Sequence, residues 1–145
     1  MRIHQNPNGF AVVTLYEEEG FSERIHAWGE HVGDNDIHQH RADFESTVLE
    51  GFFNEEIWTY QDDPEGGWER MTVDCINEPE YRVDVLDRTR CTVEIAEVLV
   101  HRQGTTYARK ATDLHRVFPV QLPVVTRVTF GPVTNRIHMM IRKLP

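Results

Sequence analysis

The chain never lets an apolar run grow long enough to make a helix stripe. From Phe10 onward, polar and apolar residues alternate in short segments, and Gly, Pro, Asp or Asn clusters end most of them. Phe10–Tyr16 is β-branched and aromatic, and Glu17–Gly20 stops it as a solvated turn. In Ser22–Trp28, Ile25 and Ala27 alternate with Arg24, His26 and Trp28. Gly33–Asp36 is a turn cluster. Ser46–Tyr60 is strongly β-prone, and Gly51 within it marks a bulge or sharp bend. An exposed loop spans residues 61–67. Beyond it, Trp68–Ile76 places Met71, Val73 and Cys75 on one face. Tyr81–Leu86 does the same with Tyr81, Val83 and Val85, and Thr89–Val100 with Cys91, Val93 and Ile95. Thr105–Lys110, His115–Phe118, Val124–Phe130 and Arg136–Lys143 follow, broken by Pro119, Pro123 and Gly131-Pro132. Period-2 patterning of this kind marks half-buried strands. About ten of them without a helical stripe predict an all-β sandwich or barrel, folded as a single domain over residues 1–145.

Charge narrows the partners. The chain has 15 Lys and Arg against 24 Asp and Glu, a formal net charge of −9. A surface this acidic repels phosphate backbones and anionic bilayers, so neither nucleic acid nor membrane is expected as a partner. Two cysteines, Cys75 and Cys91, are too few for a disulfide framework and read as small core residues. No basic-then-apolar leader opens the sequence, and no apolar run approaches the ~20 residues of a membrane span. The expected location is cytoplasmic.

The chemistry concentrates in Gly33–Gly51. His38 and His40, two apart on a strand, point to one face and make half of a divalent-metal site. His115 from a distant strand, or a carboxylate from Glu45 or Asp43, could complete it. With 8 histidines in the chain, chance pairing is the competing explanation. His4, His31, His101 and His138 are expected on the surface. Arg24, His26 and Trp28 share a face and either line a pocket mouth or form a cross-strand ladder. Arg41 beside Asp43 either anchors an acidic ligand or makes a structural ion pair.

The segment resembles the first cupin motif, G-x5-H-x-H-x3,4-E-x6-G. Gly33, His38, His40, Glu45 and Gly51 occupy its positions; the first and last gaps are each one residue short. His115 stands where the histidine of the second cupin motif belongs, although the Pro-x-Gly turn is absent and Pro119 replaces its Asn. The chain is more closely similar to a group of small bacterial and phage cupin-like proteins. The shared residues are Arg24, His26 and Trp28; His38, His40, Arg41, Asp43, Phe44, Ser46, Val48, Leu49 and Gly51; and Tyr107, Leu114, His115, Val117, Thr126, Gly131 and Pro132. That resemblance implies a cupin-type double-stranded β-helix, or jelly-roll barrel. It treats position 45 as variable, which favours a three-histidine set over one containing Glu45.

Three-histidine sites also resemble those of the thiol dioxygenases, which implies a divalent transition metal, Fe(II) first and Ni, Zn or Mn as alternatives. In that reading Tyr107 orients a substrate or O2-derived group; otherwise it is an aromatic at the barrel rim. The leading expectation is a small metal-binding cupin acting as a non-haem Fe(II) dioxygenase on a small polar molecule. The alternatives are a non-catalytic cupin that binds a small ligand or metal as a sensor or accessory protein, and a structural domain with core histidines. Antiparallel edges near the N-terminus make a homodimer the expected assembly.

Overall fold

The computed structural model describes residues 1–145 other than Pro7, Asn35 and 77–81. It contains ten strands: β1 (Arg2–Gln5), β2 (Ala11–Glu18), β3 (Phe21–Trp28), β4 (Ile37–His38), β5 (Ala42–Asp62), β6 (Trp68–Ile76), β7 (Arg82–Arg102), β8 (Thr106–Arg109), β9 (His115–Val133) and β10 (Ile137–Lys143). No helix among the described residues is long and apolar enough to cross a membrane. The expected inward placement of Cys75 and Tyr81 lies outside the described residues.

Every strand pairing is antiparallel. The sheet runs β1-β2-β3-β9-β4-β10-β6-β7-β5-β8, and an additional β5–β9 pairing closes it. Two pairs of expected strands are continuous. The segments on either side of Asp87 form one β7, because no Gly or Pro intervenes and a register shift in β6 opposite absorbs the irregularity. Likewise β9 runs straight through Pro119 and Pro123. A proline lacks the N–H a regular ladder needs, and the β5–β9 register slips between Glu50 and Phe52 and again between Phe52 and Phe53, opposite that stretch.

Gly51 makes this bend possible. Its φ is +71°, a left-handed conformation that glycine adopts without steric cost. A Cβ there would stand 2.2 Å from the Gln121 carbonyl oxygen and 2.3 Å from that of Pro123. The bulge expected at Gly51 is therefore present. It lets the first half of β5 pair with Arg127–Phe130 and the second half with residues 115–119 of the same strand.

The barrel interior holds two apolar clusters. Phe10, Val12, Trp28, Val48, Phe53, Val117 and Val124 form one, between β2, β3, β5 and β9. Ile37, Trp58, Cys91, Leu114 and Ile141 form the other, enclosed by β4, β5, β7 and β10. Cys91 is fully buried, as its strand pattern implies.

Candidate metal centre

The site begins with a turn pinned to β9. Asp34 donates its N–H to the Val117 carbonyl and accepts the Val117 N–H on its carboxylate, both at 2.9 Å. Gly33 is needed here, since a Cβ would lie 2.0 Å from the Phe118 ring. Asp36 takes Arg142 on both carboxylate oxygens, at 2.8 and 3.1 Å. These contacts deliver β4, a strand of two residues, into the space between β9 and β10. His38 and His115 are then direct cross-strand partners. His40 lies just past β4, held by its N–H to the Ala111 carbonyl at 3.0 Å and by Asn135 on its own carbonyl at 3.0 Å.

The three imidazoles converge. Their ring centroids are 4.9, 4.9 and 5.0 Å apart, and one ligating nitrogen from each falls within 4.8 Å of the others. His40 Nε2 and His115 Nε2 face one another at 2.8 Å. Two imidazoles bound at the usual ~2.0–2.1 Å to one ion stand about 3 Å apart when their bonds are perpendicular, so this spacing suits a shared metal.

The far sides of the rings fix which nitrogen is free. His38 Nδ1 meets the Asp36 carbonyl at 3.0 Å, and a carbonyl can only accept, so the proton is on Nδ1. His115 Nδ1 meets Glu55 Oε2 at 2.6 Å. Glu55 is completely buried. Burial alone would raise its carboxyl, but hydrogen bonds from His101, His115 and Arg109 outweigh this and hold it far below the usual carboxylate range. It is therefore an ionised acceptor, and His115 donates to it. In both rings Nδ1 is the donor to that contact and Nε2 is the nitrogen that a metal would take, the arrangement that metal-binding histidines characteristically show. Burial also holds the His38 and His40 rings below the ordinary imidazole range, His40 well below it, with Asp34 opposing the effect at His38 and the neighbouring histidines adding to it at His40. Neutral imidazoles are what ligation needs. This donor set can hold a divalent metal ion.

Glu55 carries more than His115. His101 Nε2 donates to it at 2.8 Å and Arg109 Nε at 2.9 Å, with a second, shorter contact from the Arg109 terminal nitrogen. His101 is 7% exposed, which corrects its expected place on the surface; the buried Glu55 carboxylate is its partner. His138 is buried as well, against the same expectation. His4 and His31 are exposed as expected. Neither Glu55 nor His101 carries a sequence signal of its own. Both sit in alternating strand sequence, and only the β5–β7 and β5–β9 registers bring them to the site.

The remaining candidates are placed as follows. Glu45 is exposed on the face of β5 opposite Phe44 and Ser46, outside the histidine group. Asp43 spends its carboxylate on the Ala111 N–H at 2.7 Å, closing the turn before β9. Tyr107 stacks on His101 with centroids 3.7 Å apart and packs against Phe44 and Phe53. Burial, and then the nearby Glu55 charge, raise its phenol, with a hydrogen bond to Ser46 pulling the other way. It thus stands one ring behind the histidines, which Phe44 touches directly. A surface depression of about 730 Å³ is lined by Phe44, Phe130, Arg109 and their neighbours. The Phe44 and Phe130 rings contact His40 at 4.9 and 6.1 Å, so they form the wall between the depression and the centre.

No family model matches the chain, and no curated protein matches it in sequence. Solved structures do. An RmlC-like cupin from Shewanella frigidimarina superposes with a TM-score of 0.53 at 15% identity, over 92% of this chain and 85% of its own. KdgF from a Halomonas species gives 0.51 at 10% identity, over 90% and 88%. A recombinant oxalate oxidase in complex with glycolate gives 0.52 at 16% identity, over 91% of this chain, which spans 55% of that protein. With ten antiparallel strands closed on themselves among the described residues and these neighbours, the chain has a cupin-type all-β fold.

Proposed function

We propose that the chain is a small metal-dependent cupin enzyme, a non-haem Fe(II)-type dioxygenase acting on a small polar molecule. One observation supports this above the others: three imidazoles converge, and in two of them the contact of Nδ1 with Asp36 or Glu55 turns Nε2 towards the centre. His38, His40 and His115 would hold the ion. A facial set of three protein ligands leaves coordination positions for substrate and O2, which is the chemistry Fe(II) supplies when bound. The residues around it then have separate tasks. Glu55 orients His115 and keeps its proton on Nδ1. Arg109 balances the buried Glu55 charge. Phe44 and Phe130 limit water at the centre.

The test is metal analysis of the purified protein, followed by O2 consumption of Fe(II)-loaded protein with small thiols and organic acids. Stoichiometric metal together with substrate-dependent O2 uptake is the expected result. Metal at full occupancy with no uptake across both substrate classes would favour a non-catalytic, ligand-binding cupin. Absence of metal after reconstitution would remove both readings.

A further inference from the structure

A second depression lies at the bulge of β5, apart from the histidine centre. It holds about 310 Å³ between residues 50–52 of β5, Arg102 and Gln103 where β7 ends, and residues 121–123 of β9. None of these belongs to the histidine group or makes one of its hydrogen bonds. The volume falls at the small end of the range for ligand sites, ~300–1,000 Å³. Strand register builds the depression. Arg102 and Gln121 are the partners of Phe52 on its two sides, so the three residues form one cross-strand row. Gly51 has no side chain to fill the floor, and the carbonyl oxygens of Gln121 and Pro123 come close up to it.

The lining carries both signs of charge. The Arg102 guanidinium lies over the Phe52 ring, 5.1 Å from the centroid. A guanidinium over an aromatic face keeps the N–H groups at its rim available. Glu50 brings a carboxylate to the same depression. The two do not pair with each other, and neither side chain makes an ion pair or hydrogen bond with any other described residue. Elsewhere the arginines of this chain reach an acid on a neighbouring strand, as in Arg116–Glu56, Arg127–Glu23 and Arg136–Asp74. An arginine and a glutamate that line one depression and stay apart are out of pattern. The Gln103 and Gln121 side-chain amides at its edge are also without a hydrogen bond among the described residues. Leu122, packed against the apolar cluster behind it, and Phe52 give the depression its apolar wall.

We propose that this depression binds a free α-amino acid with an apolar side chain, its carboxylate on Arg102 and its ammonium on Glu50 and the Gln121 and Pro123 carbonyls. The planar guanidinium fork matches a carboxylate in two parallel bonds. An ammonium offers three donors and no acceptor, which suits a carboxylate and two carbonyl oxygens. A simple anion is repelled by Glu50 and by the net charge of −9, and a simple cation by Arg102. A ligand with both charges on neighbouring atoms answers both groups at once. Its side chain then lies on Phe52 and Leu122. The site stands apart from the histidines and does not depend on the metal reading.

The experiment is calorimetric titration of the full-length protein with leucine and alanine, and with two analogues of leucine. Leucinamide keeps the ammonium alone, and isocaproate the carboxylate alone. Titrations run slightly below neutral pH, where the leucinamide amine is charged. Leucine is expected to bind at least about tenfold tighter than either analogue, and tighter than alanine. Arg102→Gln should weaken leucine about 10–100-fold, the range for one charge-assisted bond pair, and leave leucinamide unchanged. Glu50→Gln should weaken leucine by a similar factor without weakening isocaproate. Both side chains are exposed, so each variant should keep the parent melting temperature. Leucine should bind metal-loaded and chelated protein alike. Four results would each overturn the site: no binding of leucine or alanine, equal binding of leucine and either analogue, unchanged leucine affinity in Arg102→Gln, or leucine binding that requires the metal, which would put the ligand at the histidines.

Discussion

The two apolar clusters of the barrel fill comparable space by different rules. In the cluster around Ile37, Cys91 and Ile141, each of these three side chains is 0% exposed, and the lining is almost wholly apolar. In the cluster around Trp28, Val48 and Val124, the inner face also carries Thr14, Arg24, His26 and Thr126, and Thr14, Arg24, Trp28 and Thr126 each hold one unpartnered polar atom. The first is built as a core, and the Trp58 indole nitrogen is its one unpartnered side-chain polar atom among the described residues. The second carries more of them, gathered on one face. The histidine centre sits between the two, with β4 on the closed side and Phe130 on the open side. Stability should therefore respond most to changes in the first cluster.

The largest effect should come from the centre itself. His115→Ala is expected to abolish stoichiometric metal, whereas Glu45→Gln should leave occupancy intact, because Glu45 is exposed on the outer face of β5. Metal content of the two variants measured side by side decides this, and equal loss in both would put Glu45 back among the ligands. Glu55→Gln should lie between them, with metal affinity reduced about 10–100-fold through loss of its hold on His115.

Next in size is the closed cluster. Ile141→Ala removes a fully buried side chain and should cost about 2–5 kcal/mol in denaturant unfolding. A cost below 1 kcal/mol on that scale would mean that this half is not the packed one. Chelation of metal-loaded protein should cost about 2.7 kcal/mol if the ion was present at ~100 times its dissociation constant. That is a drop of several degrees in melting temperature for a chain of this size, and metal should restore it.

Acid should act mainly on the open half. Burial, followed by Arg24 and His4, lowers His26 to about 3. The unfolded chain then binds a proton near 6.5 that the native ring refuses. Its contribution is fully present above pH 6.5 and is lost as pH falls towards 3, at a limiting slope of about 1.4 kcal/mol per unit. His26→Phe should flatten that limb of the stability–pH curve. The smallest effect has the opposite sign. Thr126→Val deletes an unpartnered hydroxyl at nearly constant shape and should stabilise by about 1 kcal/mol. A destabilised Thr126→Val would show that the hydroxyl is satisfied in solution.

The same contrast explains what could be read from the chain. Strand period, turn residues and the His38-x-His40 spacing are local, so the all-β class, most strand positions and the His38–His40 pair were legible, and the family resemblance added His115 as a candidate. The bulge at Gly51 was too, since only a glycine can pass that close to Gln121 and Pro123. The continuity of β9 was not, because Pro119 and Pro123 read as breakers, and only a slipped ladder with β5 makes room for them. Glu55 and His101 could not be read either. A buried acid in an alternating strand looks like any solvent-facing one until register places His115, His101 and Arg109 around it. For the same reason His101 and His138 read as surface residues, whereas the fold encloses them.

The single rung between β4 and β9 has a consequence for how the site can vary. His38 and His115 face each other across that rung, so their separation is set by backbone pairing and inherits its precision. Repacking either cluster leaves that spacing alone. His40 lies outside the ladder, its backbone held through the Ala111 carbonyl and Asn135. It is the movable jaw of a vice whose other jaw is part of the frame. Substitutions at Asn135 should therefore retune which ion the centre grips, where changes along β9 would merely break it.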